Sequence, residues 1–450
     1  MPPKATYLFP SGFLWGTATA AHQVEGGNTN NNWYAWEQEP AHIFQGQTSG
    51  RACDWWGGRW KEDLDRAAEM GQNAHRLSIE WSRVQPTPDR WDEDALDHYR
   101  EIVRGLVERG MTPMVTLHHF TEPLWLSEVL ADGGLCSGWE TDAVAPLFGT
   151  FAKRVTEALK DYVSLWITVN EPNTFVWGGY LGGGFPPGKN DLKLAFQVME
   201  NFVRGHVAAY RAIHQVQPTA RVGMGAYYRS FKPARSWLPL DNLAIRLIAR
   251  IFNDQFPQVL TDGTFHTLLG TKRIPEAAHT LDFLGVQYYT RDMVAFSPLN
   301  PGQLFSRRYY RRDAELSDTG FLANEPEGMF EALRWGKRYG VPMMVTENGI
   351  ENASDTLRPR YIVQHIHQMW RAVNFSWPVK GYFHWTLVDN FDWERGWSQR
   401  FGLWELDPET QARKKRRSAD LYGEICRMNG ISSETVQKYT PELFGQLFPG

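Results

Sequence analysis

Two glutamates stand directly after apolar runs that lie far apart in the chain. Glu171 follows the run ITVN, and Glu347 follows the run MMVT. Buried glutamate is rare unless it is paired, so two glutamates at matching positions are hard to explain as solvated surface. Two carboxyl groups that face each other can divide one proton between them, which leaves one acid and one nucleophile. The pair therefore predicts acid–base chemistry with a covalent step.

The elements that must position these glutamates are short apolar runs that alternate with amphipathic stretches. Helices are predicted over 61–70 and 95–109, where apolar residues recur at helical spacing. Strands are predicted over 13–19, 73–79, 112–118, 164–170, 221–226, 282–287, 342–346 and 381–386. Eight strands alternating with helices predict a single (β/α)₈ TIM barrel over residues 1–450. The rival, an open doubly wound sheet, lacks a G-x-G-x-x-G motif after the first strand.

The expected barrel geometry gives an approximate separation for the two carboxyl groups. Strands ~4.8 Å apart and tilted by ~36° give a barrel radius of about 7.5 Å. Glu171 and Glu347 end the fourth and seventh strands, and their inward-reaching side chains then leave the carboxylates about 5 Å apart. Retaining glycosidases need ~5–5.5 Å and inverting ones ~6.5–9.5 Å. Charges at 5 Å repel by about 3 kcal/mol at an effective dielectric of 20, so one glutamate is expected to stay protonated.

The composition narrows the range of partners. The 450 residues carry 47 Lys and Arg against 51 Asp and Glu, a net charge of −4, which argues against a nucleic-acid partner. The basic runs at 307–312 and 413–417 are therefore interpreted as solvated faces.

The three cysteines fit neither a disulfide framework nor a zinc pattern, and no apolar stretch approaches the ~20 residues of a membrane helix. A cytoplasmic location is the resulting expectation. The 20 tryptophans suit either an aromatic core or platforms for sugar rings.

Three sequence motifs together resemble glycoside hydrolase family 1, the β-glucosidase family. They are TVNEP around Glu171, TENG around Glu347 and the block GYFHWTLVDNFDWERGWSQRFGL, and the resemblance extends from Phe13 to about Tyr422. It implies a retaining β-glycosidase that removes terminal, non-reducing β-D-glucosyl residues, with tolerance of β-galactosides and β-fucosides. Glu171 would be the general acid/base and Glu347 the nucleophile of a covalent glycosyl-enzyme. The expected partners are β-glucosides and short β-linked oligosaccharides.

The same resemblance implies the residues that surround the reacting bond. Arg76 would hold the nucleophile ionised, although its position alone fits a structural ion pair in the core equally well. No cofactor and no metal are expected, because His118 and His119 are neighbours on a strand and point to opposite faces. The residues that would bind the sugar are Gln23, His119, Asn170, Tyr289, Trp385, Asp392 and Trp393.

Some positions depart from the family pattern and leave alternatives open. Asp392 stands where the family usually carries Glu, and Gln287 stands where it usually carries Asn, so the preferred hexose is less certain than the chemistry. A 6-phospho-β-glycosidase and a non-catalytic sugar-binding barrel remain as alternatives. The glycine-rich segment 178–184 is predicted to form a loop at the rim of the site, since it lacks the Lys-Ser/Thr of a phosphate-binding loop.

Overall fold

A computed structural model describes residues 5–129 and 135–449, and a closed barrel of eight parallel strands lies at its centre. Each strand pairs with the next along the chain, and the eighth pairs with the first. The predicted (β/α)₈ TIM barrel is confirmed. The strands are β1 (Leu14–Ala18), β2 (Ala74–Ser78), β3 (Thr112–His118), β4 (Leu165–Asn170), β5 (Arg221–Tyr227), β6 (Phe283–Gln287), β7 (Met343–Asn348) and β8 (Val379–His384).

At least one helix of eight residues or more follows each strand and covers the outside of the barrel, and the fifth strand is followed by two. Two of these helices begin at aspartates whose side chains accept a backbone N–H of the first turn: Asp92 accepts from Ala95 and Asp191 from Leu194. The helices are α1 (Trp60–Glu69), α2 (Glu93–Glu108), α3 (Val144–Leu159), α4 (Leu192–Val216), α5 (Gln255–Asp262), α6 (Glu327–Gly336), α7 (Arg358–Asn374) and α8 (Arg417–Met428).

Shorter elements fill the loops at both ends of the barrel. The short helices are Ala21–Val24, Asn32–Glu37, Trp81–Val84, Pro172–Trp177, Ser433–Tyr439 and Phe444–Leu447, and the ten-residue helix Pro239–Ile248 precedes α5. One small sheet joins Ser230–Pro233, Arg291–Phe296 and Ser306–Tyr309. The two-stranded pairs are Thr6–Leu8 with Gly430–Ser432, Glu128–Val129 with Leu135–Cys136, Thr264–His266 with Thr271–Arg273, and Trp404–Leu406 with Arg413–Lys415.

Two of the sequence interpretations are wrong in detail. The segment Gly178–Gly182 is a π-helical turn that continues the helix Pro172–Trp177, and only the residues after it form a loop. The basic run 413–417 is not wholly a solvated face, because the side chains of Arg413 and Arg416 are buried in ion pairs with Asp63 and Asp389. No helix among the described residues is long and apolar enough to cross a membrane.

The register of the barrel is irregular directly before both candidate glutamates. Between β4 and β5 the pairing steps from Ile167–Gly223 to Asn170–Gly225. Between β6 and β7 it steps from Val286–Val345 to Gln287–Glu347. Such irregularities bend a strand and redirect the side chains that follow, which is why they often lie beside active sites. The barrel therefore delivers Asn170 and Glu347 at the same end.

Candidate active site

A cavity of about 250 Å³ opens at the carboxyl end of the barrel, where TIM barrels place their chemistry. Glu171 and Glu347 both line it, although they come from opposite parts of the ring of strands. Of the ten residues predicted for the site, eight lie on this wall. They are His119, Asn170, Glu171, Tyr289, Glu347, Trp385, Asp392 and Trp393.

The carboxylate of Glu347 is held at both oxygens. Arg76, which is fully buried on β2, donates from Nη1 to Oε1 at 2.5 Å, and Gln287 Nε2 donates to the same oxygen at 2.9 Å. The hydroxyl of Tyr289 donates to Oε2 at 2.6 Å. Hydrogen bonds to an ionised acceptor are short and favour the charged form. The arrangement keeps one carboxylate oriented and negatively charged beneath the cavity.

Asn170 is fixed in one orientation by the same cluster. Its Oδ1 accepts from Arg76 Nη2 at 2.5 Å and from Gln287 Nε2 at 2.6 Å. Its Nδ2 must then be the donor in the 3.0 Å contact with His119 Nε2. That assignment places the ring hydrogen of a neutral His119 on Nδ1, where it has no acceptor among the described residues.

Glu171 is held by its backbone and not by its side chain. Its N–H donates to Gly225 O at 2.8 Å, and its backbone lies in the left-handed region, with φ 40° and ψ 58°, immediately before Pro172 starts a helix. Its Oε1 is buried and meets no hydrogen-bond partner among the described residues. A carboxyl group in this position is free to share a proton with a bound molecule.

The two glutamates differ in how firmly each holds a proton. Burial, followed by the charge on Glu347, raises the pKa of Glu171 well above its usual range. Burial also raises the pKa of Glu347, but Arg76 and Tyr289 oppose that rise. Arg76 lowers the pKa of Glu347 as expected, but the net direction is upward because burial outweighs the neighbouring charge. Glu171 therefore holds a proton more firmly than Glu347 does.

An aromatic and acidic wall faces Glu347 from the loop after β8. Trp385 and Trp393 are buried to within a few per cent, and the ring of His119 lies 5.9 Å from each of theirs. Burial, followed by the charge on Glu394, raises the pKa of Asp392 well above its usual range. Flat indole faces beside carboxyl and imidazole groups suit a sugar ring with hydroxyls at its rim.

Two of the predicted site residues lie behind the wall. Arg76 reaches the cavity only through Glu347 and Asn170. Gln23 is fully buried and donates from Nε2 to Phe391 O at 2.6 Å, while its Oε1 has no partner among the described residues. Gln23 therefore contacts the segment that carries Asp392, which lines the cavity, but is not itself part of the wall.

Sequence reasoning missed several residues of the wall. Glu394 follows Asp392 by two positions in the same loop, and the position alone is a signal that could have been used. Phe401 lies inside the third motif, Gly178 belongs to the segment predicted for the rim and Phe120 follows His119, whereas most of the others come from segments that no motif marks. The missed residues other than Glu394 are Phe120, Thr174, Trp177, Gly178, Phe185, Tyr227, Arg229, Phe252, Arg308, Phe321, Leu322 and Phe401.

A TIM barrel with one protonated and one ionised glutamate across an aromatic cavity defines the class of glycoside hydrolases. The comparisons identify the family. The model of Glycosyl hydrolase family 1 matches residues 5–431. Beta-glucosidase A of Thermotoga maritima is 31% identical over 94% of this chain and 98% of its own length, and a beta-galactosidase of Sulfolobus acidocaldarius is 33% identical over 95% and 96%.

A solved structure agrees with both relatives. The beta-glycosidase from Pyrococcus horikoshii superimposes with a TM-score of 0.87 at 35% identity, covering 97% of this chain and 98% of its own. This chain belongs to glycosyl hydrolase family 1. The sequence prediction of a retaining β-glycosidase is thereby confirmed.

Proposed function

We propose that the chain hydrolyses terminal, non-reducing β-D-glucosyl residues, with Glu171 as general acid/base and Glu347 as nucleophile. The single observation that carries this assignment is the asymmetry of the pair. Arg76, Gln287 and Tyr289 all donate to Glu347, whereas Glu171 Oε1 meets no protein donor. The acid must keep its proton available, and the nucleophile must keep its charge.

The reaction follows from that asymmetry in two displacements. Glu171 gives its proton to the glycosidic oxygen while a Glu347 oxygen bonds to the anomeric carbon, and the leaving alcohol departs with that proton. Glu171, now ionised, takes a proton from water as the water oxygen attacks the same carbon. Glu347 is released as a carboxylate, Glu171 is protonated again, and the sugar keeps its β configuration.

The remaining predicted residues are proposed to hold the glucosyl ring. Asn170 Nδ2 and the free Nδ1–H of His119 would meet sugar hydroxyls, and Trp385 would form the platform beneath the ring. Asp392 would accept from the outer hydroxyls, with Gln23 behind it and Trp393 at its side. Gln23 Oε1, Glu171 Oε1 and His119 Nδ1 are buried polar atoms that a bound sugar would satisfy.

The pH dependence of kcat/KM should follow from the two pKa directions. Activity requires an ionised Glu347, so it is expected to fall on the acid side as that group is protonated. Activity also requires a protonated Glu171, so it is expected to fall on the alkaline side as that proton is lost.

Neither alternative function is favoured. Two carboxyl groups, Asp392 and Glu394, line the sugar end, which does not suit the phosphate of a 6-phospho-β-glycosidase substrate. Both catalytic candidates are present, which does not suit a non-catalytic sugar-binding barrel.

Azide rescue tests the roles of the two glutamates. With an aryl β-glucoside whose leaving group needs little acid assistance, azide should restore turnover to Glu347→Ala and give the α-glucosyl azide, because azide takes the place of the nucleophile. Azide should also rescue Glu171→Ala but give the β-glucosyl azide, because it then attacks the glycosyl-enzyme. Product anomers are read by NMR, and the same anomer from both variants would overturn the assignment.

We also propose that the described elements form one catalytic domain and that the chain acts in a reducing, cytoplasmic compartment. The pairing of Thr6–Leu8 with Gly430–Ser432 supports one domain, as does the stacking of Phe448 on Tyr7 at 4.8 Å. Cys53, Cys136 and Cys426 are all free thiols, which supports the compartment. Gel filtration after limited proteolysis would test the first proposal, and fractionation of the source cells the second.

A further inference from the structure

The active-site cavity continues into a groove with the opposite charge. The second cavity, of about 560 Å³, shares Arg229, Arg308 and Phe321 with the first. Its described wall adds Arg307 and Arg395, and its one acidic member is Asp292. The sugar end of the active site carries carboxyl groups, whereas this outer end carries four guanidinium groups, of which Arg395 pairs with Glu394 at 3.4 Å and Arg229 with Asp292 at 2.6 Å.

Asp292 cannot neutralise this cluster by itself. Arg229 holds both of its oxygens, from Nε at 2.6 Å and from Nη2 at 2.8 Å. Arg308 reaches the same carboxylate only at 3.8 Å, and its other recorded polar contact is a 3.5 Å hydrogen bond to Gln303. Burial and the adjacent charge of Arg229 lower the pKa of Arg308. One carboxylate faces two arginines, so a positive charge remains on the wall.

The position of Arg308 relative to Glu171 identifies the part of a substrate that it would meet. Glu171 starts the helix Pro172–Trp177, and the guanidinium of Arg308 lies 4.9 Å above the ring of Trp177 at the end of that helix. Six helical residues span about 9 Å. Arg308 lines both the cavity and the groove, whereas Trp385 and Asp392 line the cavity alone, so we assign the groove end to the leaving-group side.

We propose that the outer groove selects leaving groups that carry a carboxylate, with Arg308 as the binding residue and Arg307 behind it. This inference rests on the proposed function, because it needs Glu171 to mark the leaving-group side. Arginine matches a carboxylate with two parallel N–H donors, and the side chain of Arg308 is only 24% exposed, which limits screening by water. An aromatic acid would also stack on Trp177 and Phe321, whereas a uronic acid would offer its carboxylate on a sugar ring.

The test uses substrates that differ only in the charge of the leaving group. One arm compares the β-glucoside of 4-hydroxyphenylacetate with that of its amide, and a second compares glucosyl-β-1,4-glucuronate with cellobiose. In at least one arm, kcat/KM should be about tenfold higher for the acid, which is the effect of one charge-assisted hydrogen bond. The preferred arm distinguishes an aromatic acid from a uronic acid. The acid preference should shrink in 0.5 M salt.

The variants assign the effect to the groove. In Arg308→Gln the ratio of kcat/KM for the acid substrate to that for the neutral substrate should fall to about one. A general loss of activity lowers both values equally and leaves this ratio unchanged. Arg308→Lys should keep part of the preference. Arg312→Gln is the matched control, since it removes the same charge from an exposed position of the same basic run outside the groove, and it should keep the full ratio.

Two results would overturn the inference. The first is a wild-type ratio of kcat/KM, acid to neutral substrate, that is near or below one in both arms. The second is an acid preference that remains in Arg308→Gln. Hydrolysis of nitrophenyl β-glucoside is measured in parallel. If that substrate is not cleaved, the proposed function fails; if it is cleaved without any acid preference, only the inference about the groove fails.

Discussion

At the level of single residues, Glu171 combines a left-handed backbone with a carboxyl oxygen that meets no protein donor. A residue other than glycine in that region of φ and ψ costs on the order of 1–3 kcal/mol. Desolvation of the carboxyl adds to this cost when the group is ionised. Both features serve the reaction, because they aim the carboxyl into the cavity and keep its proton.

The raised pKa of Glu171 predicts a stability difference that depends on pH. The unfolded chain loses this proton near pH 4.3 while the folded chain keeps it, so the wild type loses about 1.4 kcal/mol of stability per pH unit from there up to the folded pKa. Glu171→Gln has no proton to lose. Its melting temperature, measured by differential scanning fluorimetry, should therefore exceed that of the wild type by an amount that grows from pH 5 to pH 8.

Glu409→Gln is the control for this measurement, because Glu409 is exposed in a turn. Its melting temperature should follow that of the wild type at every pH. A Glu171→Gln curve that runs parallel to the wild-type curve would show that the folded and unfolded pKa values of Glu171 are the same.

Individual residues were predictable where a motif surrounds them. Both glutamates, Asn170 and Tyr289 follow strands in motifs, and the structure places all four on the wall. Arg308 was not predictable, because in the run RRYYRR nothing distinguishes an arginine that crosses to Trp177 from its solvated neighbours. The hydrogen bond that Gln23 donates to the carbonyl of Phe391 was not predictable either, because Phe391 is distant in sequence.

At the level of elements, the irregular pairing between β6 and β7 depends on a glycine. A Cβ on Gly285 would lie 2.9 Å from Thr346 Oγ1 and 3.0 Å from Met224 O. Thr346 directly precedes Glu347. The lack of a side chain at Gly285 thus lets β7 approach β6 closely enough for Gln287 to pair with Glu347.

Gly285→Ala tests this dependence. The added methyl group should force β6 and β7 apart, destabilise the fold by about 1–3 kcal/mol and lower kcat more than KM, because Glu347 is displaced from its donors. Urea unfolding and steady-state kinetics give the two quantities. Gly270→Ala is the control, since a Cβ there meets no atom within 4 Å. Equal kcat values in the two variants would contradict the argument.

The strands were predictable from the sequence because a barrel buries both faces of each strand, which leaves a continuous apolar run. The helical turn within the segment 178–184 was not predictable, because its glycines serve close packing, whereas glycine-rich sequence usually indicates a flexible loop. A Cβ on Gly178 would lie 2.7 Å from the ring of Phe185, and one on Gly179 would lie 2.8 Å from Pro186 O. Only the tertiary contacts show that these residues are helical.

At the level of the whole molecule, an ion pair joins the start of α8 to the loop that carries Asp392 and Trp393. Arg416 donates to Asp389 at 2.7 and 2.9 Å, and Asp389 is fully buried. Gly402 N also donates to Asp389, at 2.8 Å. The pair closes the loop that follows β8 against the body of the protein.

Arg416→Ala should destabilise the protein by about 3–5 kcal/mol, because it leaves the buried carboxylate of Asp389 with only the more distant Arg400, at 3.7 Å, as a counter-charge. Lys414→Ala removes a positive charge from the same run, but Lys414 is exposed, so its effect should stay within about 0.5 kcal/mol. Urea unfolding followed by tryptophan fluorescence measures both. If the two variants lost similar stability, Arg416 would be acting as a surface charge.

Closure of the barrel has a consequence for synthesis on the ribosome. β1 forms hydrogen bonds with β8, where Leu14 pairs with Gly381, so the first strand emerges long before its second neighbour exists. At ~5–20 residues per second that interval lasts on the order of tens of seconds. During it, one edge of β1 is unpaired, and a nascent chain in this condition is a natural client for a chaperone.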